Sequence, residues 1–247
     1  MPALADQPLG EEPGMPAAPI IAVFGSGKGL GLAKAIGNEV GKHDCVLLTG
    51  GAGPAGEMVK NKALAGADEA ARGGALAPWI GVPKAGDLRT KPKPDESRSY
   101  LLETGLGDER NYLEAVLCNV AIAIEGGDGT KSEVGFCLAL QRPVVLVGDW
   151  SEVRIAGLAE AIDHRILKKE IDPNLRLLIQ AAKSNMAHNV LPGALSLEVD
   201  ATLVVDQAKA AAGSAIEYAY PDLRILESCR APYLNWVHAI VSRLKGK

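Results

Sequence analysis

From residue 19 to residue 149 the chain alternates between two hydrophobic rhythms. Short unbroken apolar runs, each halted by glycine or proline, are separated by longer stretches whose apolar positions recur every three or four residues. The first run covers residues 19–24 and stops at Gly25; Leu30, Leu32, Ala33, Ile36 and Val40 then follow at helical spacing. A second run, residues 45–49, ends in Gly50-Gly51-Ala52-Gly53. Pro54 suits the first turn of the next helix, which carries Met58, Ala63, Leu64 and Ala67 towards Gly73. A third strand is expected over 75–82, where Pro78 marks irregular or edge pairing. A helix over 108–119 leads into a strand over 120–124. A further helix with Val134, Cys137, Leu138 and Leu140 on its apolar face precedes a strand over 143–147.

Five apolar strands joined through helices predict an α/β fold, a Rossmann-like three-layer sandwich with a mainly parallel sheet. Ligands of such sheets sit at the carboxyl ends of the strands, where each glycine cluster falls. Residues 84–107 are charged, rich in proline and without period, and read as a long surface loop of functional type. Beyond residue 149 the pattern weakens. A strand is expected at 201–205 between helices near 174–182 and 206–219. A closing helix at 233–244, with Leu234, Val237, Ile240, Val241 and Leu244 at helical spacing, is expected to pack on the body or on a neighbouring subunit. The expected organisation is a loose tail over 1–18 and one nucleotide-binding domain over 19–247, with a helical extension from about residue 150.

Composition narrows the function classes. Apolar residues at 47%, charged residues at 23% and a net charge of −4 describe an ordinary globular chain without the basic field that nucleic acid demands. No apolar run approaches the roughly 18 residues of a membrane helix, and the N-terminal residues do not read as a secretory signal. Cys45, Cys118, Cys137 and Cys229 are scattered without a C-x-x-C pair. His43, His164, His188 and His238 form no ligand motif. These patterns predict buried reduced thiols, no metal site and a cytoplasmic setting.

Three glycine-rich turns carry the candidate chemistry. Gly25-Ser26-Gly27-Lys28-Gly29-Leu30-Gly31 misses both the dinucleotide and the P-loop spacing, leaving a close-approach backbone with a cation beside it. Gly50 and Gly51 form the second turn. Glu125-Gly126-Gly127-Asp128-Gly129-Thr130-Lys131-Ser132-Glu133 places glycines between a strand and a helix, an arrangement that presents backbone N–H groups to phosphate. Thr130 and Glu133 also have the spacing of a capping box, which would explain Glu133 by helix architecture alone. Lys28, Arg89, Lys91 and Lys93 are further candidate contacts for phosphate. Arg110 heads the helix feeding the fourth strand, and composition alone leaves its placement open.

Leu48-Thr49-Gly50-Gly51-Ala52-Gly53, Thr104-Gly105-Leu106-Gly107-Asp108-Glu109-Arg110-Asn111 and the 125–133 stretch together resemble one superfamily. It comprises Rossmann-like proteins related to the Lonely Guy cytokinin-activating enzymes, a group that has also carried a lysine-decarboxylase label. Its signature is P-G-G-x-G-T-x-x-E with an arginine at the head of the preceding helix, and the likeness covers residues 19–149. The resemblance implies hydrolysis of the N-glycosidic bond of a nucleoside 5'-monophosphate to free base and ribose 5-phosphate. Gly126, Gly127, Gly129 and Thr130 would hold the phosphate, while Arg110 and Glu133 would be catalytic; Asp128, Gly25, Ser26, Gly27, Lys28, Gly50 and Gly51 are the further candidate phosphate or ligand contacts. No cofactor would be required, and no lysine lies in a pyridoxal-phosphate context. Glu125 replaces the hydrolases' proline, and T-G-L-G-D-E-R-N looks closer to a branch of molybdenum cofactor carrier proteins. A carrier would hold a phosphorylated pterin, the molybdenum cofactor, without turnover; a sensor of a nucleotide-derived signal is a further alternative. The G-G-D-G-T loop also occurs in NAD and lipid kinases, whose other motifs are missing here. The expected partner is a small nucleotide or pterin phosphate, with neither nucleic acid nor membrane, bound by a homo-oligomer, a dimer or tetramer.

Overall fold

A computed structural model describes residues 18–51, 57–85, 98–186, 189–214 and 227–245. Seven parallel strands form one sheet in the order β4-β3-β2-β1-β5-β6-β7. They are β1 (Ile20–Phe24), β2 (Val46–Thr49), β3 (Trp79–Gly81), β4 (Ser99–Leu101), β5 (Val120–Ile124), β6 (Val144–Val147) and β7 (Ala194–Leu195). The helices are α1 (Leu30–Lys42), α2 (Val59–Arg72), α3 (Arg110–Leu117), α4 (Asp128–Ala139), α5 (Ile155–Ile162), α6 (Pro173–Met186), α7 (Ala201–Ser214) and α8 (Glu227–Lys245). A π-helical turn, Asp163–Leu167, continues α5.

The strands are apolar along their whole length because both faces are covered. Alternate residues divide between two cores. Ile21, Val23, Leu47, Ile122 and Ile124 pack beneath α1, α2 and α7. Ala22, Phe24, Leu48, Ile80 and Leu146 face α3, α4, α5, α6 and α8. Asn119 sets the register of the central pair: its Oδ1 accepts from the Ile20 amide at 2.6 Å, and its own amide donates to the Ile20 carbonyl at 2.9 Å. On the first face, α1 and α2 meet backbone to backbone, since a Cβ on Gly37 would lie 1.9 Å from the Ala63 carbonyl oxygen. On the other face, Tyr100 of β4 packs against Tyr233 and Trp236 of α8, with ring centroids 5.7 and 5.5 Å apart. The expected Rossmann-like α/β sandwich is thus the observed fold.

Several expected elements are corrected. Residues 201–205 are the start of helix α7, not a strand. The buried residues Ala201, Val204, Val205, Ala208 and Ala212 follow helical spacing, and Asp200 caps the helix through its carboxylate, which accepts from the Thr202 amide at 2.7 Å. The sheet's outer strand on this side is instead the two-residue β7. The 84–107 segment contains β4, which pairs with β3 and extends the sheet; residues 86–97, with Arg89, Lys91 and Lys93, lie outside the described residues. The third strand shrinks to Trp79–Gly81, because Ala77 takes a left-handed φ of 44° just before Pro78. Helix α2 begins at Val59, with Met58 exposed ahead of it, and Pro54 falls outside the described residues. Cys45, Cys118 and Cys137 are buried and free.

Candidate functional site

The sheet order reverses direction between β1 and β5: the chain leaves β1 towards β2 and leaves β5 towards β6. The crevice at the carboxyl ends of these two strands is the binding position this topology favours. The first and third glycine turns meet there. A Cβ on Gly126 would stand 2.3 Å from Thr130 Oγ1 and 3.2 Å from Ser26 Oγ, so only glycine lets the two loops touch. Gly25, at φ +153°, has equally little room, with the Ile124 carbonyl oxygen 2.9 Å from any added Cβ. Gly127 and Gly129 are different. A Cβ on Gly127 would meet nothing within 4 Å, and one on Gly129 would meet only Arg165, at 3.7 Å. Open space therefore lies over the start of α4, where the first amides have no partner within the helix and the helix dipole is positive.

The capping-box explanation of Glu133 does not hold. Gly127 is the N-cap of α4 and receives no side-chain cap bond, so Thr130 is the third helical residue and Glu133 lies deeper in the helix. Glu133 is buried, one turn beyond the open cradle. It meets a second carboxyl, Glu114 of α3, which is wholly buried and whose charge acts on it. Arg110, one turn before Glu114 on α3, closes the group. Its Nη1 donates to Glu114 Oε1 and, at 3.2 Å, to the Val82 carbonyl. Its guanidinium occupies the space a side chain at position 50 would need: a Cβ on Gly50 would stand 2.6 Å from Nη1. The second glycine turn thus exists to admit Arg110. Asn111 ties α3 to the cradle, donating to Ser132 Oγ at 2.7 Å and to the Gly129 carbonyl at 3.4 Å.

Two carboxyls in one buried place cannot both ionise freely. Burial pushes Glu133 well above the usual carboxylate range, and the Glu114 charge pushes it further, while Arg110 and Lys60 pull the other way. Glu114 is also raised, first by burial, but its contact with Arg110 favours its ionised form. Both carboxyls are thus pushed towards keeping a proton, Glu133 the more strongly. Sequence reasoning missed Glu114 and Lys60. The i,i+4 spacing of Arg110 and Glu114 was a legible signal; nothing marked Lys60 of α2.

The remaining candidates divide. Lys28 is 74% exposed and pairs with Glu125 Oε1 at 2.8 Å. Glu125 Oε2 accepts from the Asp149 amide at 2.6 Å, so the charge that replaces proline is answered on both oxygens. Its carboxyl lies below the usual range, first through Lys28 and then through that amide. A Cβ on Gly27 would meet nothing within 4 Å, so packing does not demand glycine there. Gly51 holds φ +77° against Pro83. A separate cleft of about 840 Å³, lined in part by Ala159, Asp163, Arg176 and Lys183, shares no residue with the three turns. Among the described residues no group of three or more His, Cys, Asp or Glu side chains could hold a metal ion, and no helix is long and apolar enough to cross a membrane.

This arrangement of a parallel sheet, a crevice at the strand reversal and a glycine-rich helix start defines a Rossmann-like ligand-binding protein. The chain belongs to the SLOG cluster4 family, whose pattern it matches over residues 18–185. Among solved structures it is similar to the molybdenum cofactor binding protein from the phototrophic bacterium Rippkaea orientalis. That likeness has 27% identity and a TM-score of 0.47, covering 68% of this chain and 97% of the other. It is also similar to the molybdenum cofactor carrier protein of Chlamydomonas reinhardtii, at 28% identity and a TM-score of 0.43, covering 69% of this chain and 99% of that one. No curated protein matches the chain.

Proposed function

We propose that the protein binds a nucleoside 5'-monophosphate in the β1–β5 crevice and hydrolyses its N-glycosidic bond. The observation that supports this reading is the buried Glu114–Glu133 pair one helical turn from the open start of α4, with the Glu133 carboxyl raised well above its usual range by burial and by Glu114. In this reading Glu133 is the acid and Glu114, in contact with Arg110, its ionised partner, the combination that bond cleavage at a sugar uses.

In this reading the amides at Gly126, Gly127, Asp128, Gly129 and Thr130 take the 5'-phosphate, and Gly25, Ser26 and Gly27 close the cradle from β1. The ribose then lies towards Gly50, Gly51 and the carboxyl pair. The C1'–N bond breaks with its electron pair leaving on the base, and Glu133 supplies the proton that the base nitrogen takes up. The pair, now doubly charged, faces the oxocarbenium character on the ribose, with Arg110 and Lys60 balancing the added charge. Water adds to C1' and returns a proton to Glu133. One water is consumed, and free base and ribose 5-phosphate leave.

Product analysis tests the reading. Wild-type protein is expected to release base and ribose 5-phosphate from at least one nucleoside monophosphate and to leave the matching nucleoside intact. No release from any monophosphate by the folded protein, or equal release from nucleosides, overturns it. A second reading is carriage of a phosphorylated pterin such as the molybdenum cofactor. It draws on one observation: Arg110 bonds to Glu114 and to the Val82 carbonyl, so the protein's own groups engage it. Tight pterin binding without turnover is the result that would favour it.

A further inference from the structure

Asp108 precedes Arg110 by two residues and is only 4% exposed, yet three cations converge on it. Its Oδ1 accepts from Lys84 Nζ at 3.0 Å and from Arg165 Nη2 at 3.1 Å, and its Oδ2 accepts from Lys169 Nζ. Burial alone would raise the Asp108 carboxyl, but the lysines and Arg165 outweigh it and hold it below the usual range, so it is ionised. One carboxylate balances one cation. The cluster therefore keeps about two positive charges, and its cationic side chains stay 40%, 38% and 48% exposed to solvent.

The surplus charge lies beside the cradle. Arg165 Nη2 is the one group within 4 Å of the space above Gly129, at 3.7 Å, and the adjacent His164 Nδ1 stands 3.6 Å from Asp128 Oδ2. The π-helical turn thus leans on the first turn of α4. Asp128 adds a negative charge there, which His164 faces; among the described residues Asp108 is the one carboxylate paired with Lys84, Arg165 and Lys169. A π-helical turn is an uncommon structure that often marks a functional site.

We infer that Arg165, Lys169 and Lys84 form a second anion subsite continuous with the cradle, which takes the β-phosphate of a nucleoside 5'-diphosphate. The inference rests on the proposed cradle, since the α-phosphate must sit over Gly127 and Gly129 for the next phosphate to reach Arg165. Guanidinium and ammonium groups around a phosphate form charge-assisted hydrogen bonds, roughly twice as strong as neutral ones.

Calorimetric titration of the full chain carrying Glu133→Gln, in which turnover is blocked, tests it with AMP, ADP and inorganic pyrophosphate. ADP is expected to bind at least about tenfold tighter than AMP, with the gap narrowing as salt rises. Adding Arg165→Ala and Lys169→Ala should erase the gap. Lys169→Ala alone, which leaves Lys84 and Arg165 on the Asp108 carboxylate, should narrow the gap. AMP binding without a gain for ADP, or a gap untouched by either variant, overturns the subsite alone. Binding of neither nucleotide overturns the cradle and the subsite with it. Pyrophosphate matching ADP would show a free-anion site and also overturn the nucleotide assignment.

Discussion

Replacing Glu133 by glutamine should stabilise this protein while disabling it. The glutamine amide has the shape of a protonated carboxyl and can still donate to Glu114, so packing on α4 is preserved. What changes is proton linkage. Below the ordinary value of 4.5 the folded and unfolded chains both hold a proton at position 133, and the group contributes nothing. Above it the unfolded chain releases the proton while the folded protein, through burial and the Glu114 charge, retains it. The folded state then binds more protons than the unfolded state, and stability falls as pH rises until the raised folded value is passed. The slope is about 1.4 kcal/mol per pH unit for one retained proton. Urea denaturation of wild type and Glu133→Gln from pH 5 to pH 8 measures this directly. The variant should be the more stable of the two, with a lead that grows with pH at up to that slope. A variant less stable than wild type by a pH-independent amount would refute the shared proton and make Glu133 an ordinary structural carboxylate.

Other perturbations report on the frame around the pair. Gly37→Ala requires α1 and α2 to part by about 1 Å, and thermal or urea melts should show a loss of about 2 kcal/mol or more despite the better helix propensity of alanine. Gly126→Ala forces its Cβ onto Thr130 Oγ1, 2.3 Å away, so nucleotide affinity measured by calorimetry should collapse while the far edge of the sheet is undisturbed. Asn111→Ala leaves Ser132 and the Gly129 carbonyl without this donor, and denaturation should register a loss of about 1–3 kcal/mol together with weaker ligand binding.

Much of the fold was legible because it rests on local signals. The runs at 20–24 and 120–124 are uniformly apolar, as strands covered on both faces must be, and glycines follow β1, β2 and β5 where the chain turns into the crevice. The misread segment shows the limit of such signals. Thr202-Leu203-Val204-Val205 has a strand's composition, and only the longer span from Ala201 to Ala212, with Asp200 as its cap, reveals helical spacing. β4 was hidden for the opposite reason: three residues in a charged stretch carry almost no pattern, and pairing with β3 and stacking on α8 create the strand. The site was legible in the same uneven way. The cradle lies within one continuous stretch of sequence, whereas the chemistry of Glu133 depends on Glu114 across two helices and on Arg110 filling the space that Gly50 leaves. The Asp108 cluster gathers Lys84 from one segment and Arg165 and Lys169 from another, both remote in sequence from Asp108, and no local pattern announces it.

The rate of base release by Glu133→Gln, compared with wild type on the monophosphate that wild type cleaves best, tests whether the carboxyl pair does the chemistry. If the proton on Glu133 goes to the leaving base, kcat should fall at least about 100-fold in a variant that is folded and at least as stable as wild type. KM should change little, because the phosphate cradle is intact. Near-wild-type turnover by Glu133→Gln would remove the carboxyl pair from the chemistry.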